Sequence, residues 1–194
     1  MKKLAILLCL IGVSVSGQLA MKRQSVGSKH VAVPTGGGGG PDAWYYTTGW
    51  IESTTGTPIT GGWAPESNAY GNDVVVGSAG TATTISVRMS HSSTAVNVKI
   101  ALFDSGGTLV ANGTGATATS DAAGAWVDVS ISAAVSAATY YVHVSSADAN
   151  GWAHYVSGAT DGNAITRAYA SFPQSTETIN VESGNNFGVR IYVD

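Results

Sequence analysis

Apolar and polar residues alternate with period two in five separate stretches of this chain. TTISVRMS sets Ile85, Val87 and Met89 against Ser86, Arg88 and Ser90. VNVKIALF sets Val96, Val98, Ile100 and Leu102 against Asn97, Lys99, Ala101 and Phe103. WVDVSI places Val127, Val129 and Ile131 on one side and Trp126, Asp128 and Ser130 on the other. TYYVHV opposes Tyr140, Val142 and Val144 to Tyr141 and His143, and FGVRIYV opposes Phe187, Val189, Ile191 and Val193 to Arg190 and Tyr192. Successive side chains of a strand point to opposite faces, so each stretch predicts a half-buried antiparallel strand. Between and beside them stand DSGG, NGTG, DAAG, ADANG, TDGN and ESGNN, whose Gly, Asn and Asp supply turns. Tyr70–Val76, Trp152–Val156 and Ile165–Phe172 read as further strands with less regular patterns. No amphipathic helix and no fixed-period repeat is evident. The pattern predicts an all-β, antiparallel β-sandwich of jelly-roll type, with an immunoglobulin-like arrangement as the alternative.

The first forty residues break this pattern. MKKLAILLCLIGVSVSG has a basic start at Lys2 and Lys3, an apolar run from Leu4 to Val15 and a small-residue exit, the plan of a secretory signal peptide over residues 1–17. Its apolar run is shorter than the ~20 residues a spanning helix needs. Contact with a membrane is therefore expected only through a transient signal peptide, and the protein is expected at the extracellular surface or secreted. Cys9 is the only cysteine and lies inside this run, so the mature chain would carry neither disulfide nor thiol nucleophile. Residues 18–40 end in five glycines and read as a flexible tail, leaving residues 41–194 as the sandwich domain.

Charge narrows the partners. The sandwich region holds four bases against all twelve acids, a balance of −8. Nucleic acid is not an expected partner, because its binding needs clustered Lys and Arg.

Asp104-Ser105-Gly106-Gly107 echoes the nucleophile segment of trypsin-like proteases, but Phe103 stands where that segment has glycine and no suitably placed histidine accompanies it. A turn capped by Asp104 is the expectation instead. Glu52, Glu66, Glu177 and Glu182 could serve a glycoside hydrolase only if two carboxylates faced each other across a cleft, and the sequence pairs none of them. No enzymatic activity is expected, a secreted glycoside hydrolase being the remote alternative. No cofactor is required. A structural calcium is the one metal the loops could hold, through Asp73, Asp148 and Asp161 with neighbouring Asn68, Asn72, Asn150 and Asn163. A zinc site from His143 and His154 is less favoured, since the two lie on different segments.

The aromatics offer the sharper chemistry. If residues 126–131 and 139–145 formed a hairpin with Asp128 opposite Tyr141, then Trp126 would face His143. Trp126, Asp128, Tyr141 and His143 would then share one outer face. Flat rings beside carboxylates stack on sugar rings and fix their hydroxyls. Trp44, Tyr46 and Trp50, in the cluster that follows the glycines, are the other candidate contacts. The competing expectation is that these rings simply cover the core.

AGTATTISVRM, VNVKIALFDSGGTLVANG and GAWVDVSISAAVSAATYYVHVSS together resemble a loose class of exported β-sandwich modules. These occur in bacterial surface proteins, multidomain secreted enzymes and phage appendages. The resemblance covers residues 72–194 and implies a non-catalytic cell-surface or virion-type module for carbohydrate binding or adhesion. A structural subunit that self-associates is the alternative, and glycan or another copy of the chain is the implied partner.

Overall fold

The computed structural model describes residues 45–47, 49–53, 61–120, 124–157, 162–182 and 184–194. The signal-peptide and tail readings of residues 1–40, together with Trp44 and Asp161, lie outside the described residues. In chain order the strands are β1 (Tyr45–Thr47), β2 (Trp50–Glu52), β3 (Gly61–Trp63), β4 (Ala69–Val76), β5 (Gly80–His91), β6 (Asn97–Asp104), β7 (Leu109–Thr114) and β8 (Ala118–Thr119). They continue as β9 (Trp126–Val135), β10 (Ala138–Ser146), β11 (Gly151–Ser157), β12 (Gly162–Ile165), β13 (Asn180–Glu182), β14 (Asn185–Phe187) and β15 (Val189–Val193).

These strands build a β-sandwich. The first sheet runs β1-β2-β15-β5-β11-β14, with β9 on the other side of β5 and β3 beside β11. The second runs β13-β12-β4-β10-β6-β7, with β8 beside β6. The alternation read from the sequence points the predicted residues inward. Ile85, Val87, Met89, Val127, Val129, Val189 and Ile191 of the first sheet are buried against Val74, Val98, Ile100, Leu102, Val142 and Val144 of the second. Each such side chain contributes about 1.5–3 kcal/mol when fully buried, so the period-two apolar face is the principal force joining the layers.

The expected hairpin between residues 126–131 and 139–145 does not form. Strand β9 pairs with β5, placing Asp128 opposite Ser86 and Trp126 opposite Arg88. Strand β10 pairs with β4 and β6 in the other sheet. Ser136 and Ala137 carry the chain across the sandwich, and the Tyr140 hydroxyl accepts a hydrogen bond from the Ser136 amide at 2.9 Å at this corner. Both strands still direct their apolar faces into one core, now from opposite sides.

The strand expected over Ile165–Phe172 does not form: β12 ends at Ile165, and the chain continues as an irregular strap with a 3₁₀ turn at Tyr169–Ser171. This strap covers the outer face of the second sheet. Ile165 and Phe172 form a second buried cluster with Ala69, Ala101 and Phe103. Lys99 ties the strap down, its ammonium donating to the carbonyls of Tyr169 at 2.9 Å and Phe172 at 3.0 Å. The buried carboxylate of Glu177 accepts from Arg167 at 2.9 Å and from the Gln174 amide at 2.9 Å.

The DSGG segment is the turn between β6 and β7. Asp104 Oδ1 accepts from the amides of Gly106 and Thr108, both at 2.9 Å. Gly107 has φ of 78°, and a Cβ there would sit 2.2 Å from the Glu177 carbonyl oxygen. Only glycine satisfies both demands. Replacing Asp104 with Ala removes two turn hydrogen bonds near solvent and is expected to cost about 1–2 kcal/mol, read as a lowered urea midpoint with an unchanged slope.

Candidate functional site

The two outer faces of the sandwich differ. That of the second sheet is roofed by the strap. That of the first carries a row of polar and aromatic side chains projecting from β2, β15, β5, β9 and β11. The register places Glu52, Arg190, Ser86 and Asp128 side by side on four adjacent strands.

Arg190 organises this row. Its guanidinium carbon lies 4.0 Å from the ring centroid of Trp50 and 4.3 Å from that of Trp126, so a cation sits between two indoles. The same guanidinium donates to Asp128 Oδ1 at 3.2 Å and lies 3.7 Å from Glu52. Ser86 donates its hydroxyl to Asp128 Oδ1 at 2.6 Å. The Asp128 side chain nevertheless keeps 54 % of its exposure. Both of these contacts fall on Oδ1, which leaves Oδ2 to accept from a ligand hydroxyl. Tyr192 meets Trp50 edge-on with centroids 5.3 Å apart.

Farther along β5 the same face continues through Arg88 and Ser90. Arg88 donates through Nε to the Gly124 carbonyl at 3.1 Å. His154 Nε2 lies 2.6 Å from Ser90 Oγ. Burial, with Arg88 adding to it, lowers the His154 pKa and favours the neutral ring. Trp152, opposite Ser90, is 42 % exposed, and its Nε1 donates to the Ala149 carbonyl at 3.1 Å.

Of the aromatic candidates, the structure therefore brings Trp50 and Trp126 together with Asp128. Tyr141 and His143 lie in the other sheet, because β9 and β10 do not pair. His143 is completely buried under the strap, 6.0 Å from the Phe103 ring and 6.3 Å from that of Tyr141. Burial also raises the Tyr141 pKa, with Asp73 adding to it. His143 is thus removed from any solvent-facing site. Tyr46 lies in β1, its backbone paired with Ile51, and Trp44 lies outside the described residues.

Of the calcium candidates, Asp73 and Asp148 are not brought together. Asp73 is opposite Tyr141 within the second sheet, whereas Asp148 lies in the turn beyond Ser146. Asp148 Oδ1 accepts from the Asn150 amide at 2.8 Å, which is turn chemistry. Asp161 lies outside the described residues, among which no group of three or more His, Cys, Asp or Glu side chains converges as a metal site. Glu52 and Asp128 both reach Arg190, but the guanidinium interacts with both and they stand on a sheet face.

Two residues of this face were missed as contacts. Arg190 was legible as the polar position of the final alternating strand, but not as the partner of Trp50 and Trp126, 140 and 64 positions away in sequence. Trp152 was legible as the first residue of the Trp152–Val156 strand after the ADANG turn, but not as an exposed contact. Comparison with protein-family models and with curated proteins yields no match.

Proposed function

We propose that the chain is an exported, non-catalytic β-sandwich module that binds carbohydrate on the outer face of its first sheet. The observation that carries this reading is the grouping of Trp126 and Asp128 around Arg190 on a face that, among the described residues, no strap covers. One face of the half-buried Trp126 ring rests on the guanidinium, which fixes the indole, and we assign its other side to a pyranose. Asp128 Oδ2 supplies an acceptor beside it. A prearranged ring and acceptor lose little conformational freedom when a ligand arrives, which favours binding. Display on a cell or particle surface accords with the signal-peptide reading of residues 1–17.

A glycan and polysaccharide screen with the full chain tests this. Trp126→Ala is expected to reduce binding about tenfold or more, while costing only about 1 kcal/mol of stability from the lost cation–π contact. Binding that survives the substitution undiminished would remove the site from this face.

Self-association is the second reading, and the β13 edge favours it. Val181 is 73 % exposed on that short outer strand, a position where another chain could pair. Concentration-dependent light scattering, reduced by Val181→Lys and unaffected by glycans, is the result expected of a structural subunit.

A further inference from the structure

We infer that Trp152 forms a second stacking position and that the ligand is a neutral glycan chain several sugars long. This rests on the carbohydrate reading above and extends it from one contact to a ligand class. Trp126 and Trp152 flank β5 from opposite sides. The Met89 amide donates to Ala125 on the β9 side, and the Arg88 amide donates to Gly188 on the side shared by β15 and β11. Trp126 is opposite Arg88, and Trp152 is opposite Ser90. Two strand spacings across and two residues along separate their Cα atoms by about 12 Å. One pyranose cannot rest on both rings, whereas a short oligosaccharide can lie from one to the other.

The surface between them suits such a chain. Partly exposed Arg88 has guanidinium N–H groups beyond the Nε that bonds Gly124 to offer to hydroxyls, Ser90 and His154 satisfy each other beneath it, and both indoles are held, one by Arg190 and the other by the Ala149 carbonyl. Charge selects the ligand further. Arg190 and Arg88 are balanced by Glu52 and Asp128, so the face carries no net charge to attract a polyanion. An uncharged polymer also avoids repulsion from the −8 of residues 41–194.

The test uses the full chain and ladders of two to six sugars from glucan, xylan, mannan and chitin, with polygalacturonate as the acidic comparison. Affinity is expected to rise with length. Trp152→Ala should reduce binding of the longest oligomers about five- to tenfold and leave the disaccharides within about twofold, with Trp152→Tyr restoring most of the loss. Trp126→Ala should weaken every length. Equal losses at all lengths, or none, for Trp152→Ala would overturn the second position while leaving the Trp126 site standing. Preference for polygalacturonate that fades with added salt would overturn the neutral-ligand assignment. If no ladder and no polymer binds the wild-type chain, the carbohydrate reading itself falls, and this inference with it.

Discussion

Acidification from pH 7 to pH 4 is expected to cost the fold about 3 kcal/mol through His143 alone. The imidazole, on β10, is fully buried beside Phe103 of β6, and among the described residues neither ring nitrogen has a hydrogen-bond partner. Burial pushes its pKa from 6.5 down to about 3. The neutral ring is therefore the native form, while the unfolded chain takes up a proton near pH 6.5. Above that pH neither state is charged and the contribution is constant. Between pH 6.5 and about 3 the unfolded state binds more protons, so stability falls steadily, reaching a loss of about 5 kcal/mol once both states are protonated. Carboxylates elsewhere in the chain also take up protons in acid, so the informative quantity is a difference. Urea unfolding of wild type and His143→Leu at a series of pH values should show the wild type losing ground to the variant as pH falls below 6.5. At pH 7 the variant should be at least as stable, since it removes two unpartnered polar atoms. Parallel curves would show that His143 does not hold its proton as described.

Phe172→Ala is expected to destabilise the protein by about 3–5 kcal/mol. Phe172 is 2 % exposed, and its ring centroid lies 6.1 Å from that of Phe103. Truncation removes the strap's largest apolar contact and opens a cavity beside Phe103, whose ring lies 6.0 Å from that of His143. The Lys99 bonds to the strap are made to backbone carbonyls and survive the change, as does the Arg167–Glu177 pair. These polar ties are not expected to compensate, because the strap's burial depends on the ring. A lowered urea midpoint is the first measurement. The second is the His143 titration by NMR, which should move back toward 6.5 as water enters under the strap. A stability loss below about 1 kcal/mol would mean the strap is held by its polar ties instead.

These two residues mark the limit of what the sequence disclosed. The alternation in TTISVRMS, WVDVSI and FGVRIYV was sufficient to orient Ile85, Val127 and Val189 inward, because a sandwich demands one apolar face per strand. The same alternation could not say which strand lies beside which. A two-residue link such as Ser136-Ala137 serves a hairpin or a crossing between sheets, and both keep Val129 and Val142 in the core. The expected pairing of Trp126 with His143 failed at that ambiguity. The strap escaped detection for a different reason. Residues 166–179 have no period, since their order comes from Lys99, Phe103 and Glu177 rather than from a ladder. A histidine on the polar side of a strand therefore looked exposed. Trp50, Trp126 and Asp128 were legible as chemistry. Their meeting was not, because it depends on Arg190, which reaches them only through the order β2-β15-β5 and the pairing of β9 with β5.

That order has a consequence for how the protein comes to exist. Strand β15 is the last of the strands in sequence, yet it sits between β2 and β5 inside the first sheet. Its pairing of Val189 with Val87 closes a loop of roughly a hundred residues, an entropic debt settled only when both ends meet. During synthesis from the N-terminus, the Ala82–Val87 stretch of β5 has no partner on that side until residues 189–193 have left the ribosome, whereas Met89–His91 pair with the earlier strand β11. Folding is therefore late and concerted, on the millisecond-to-second scale of non-local β topologies. Until then the first sheet lacks the strand that joins β2 to β5.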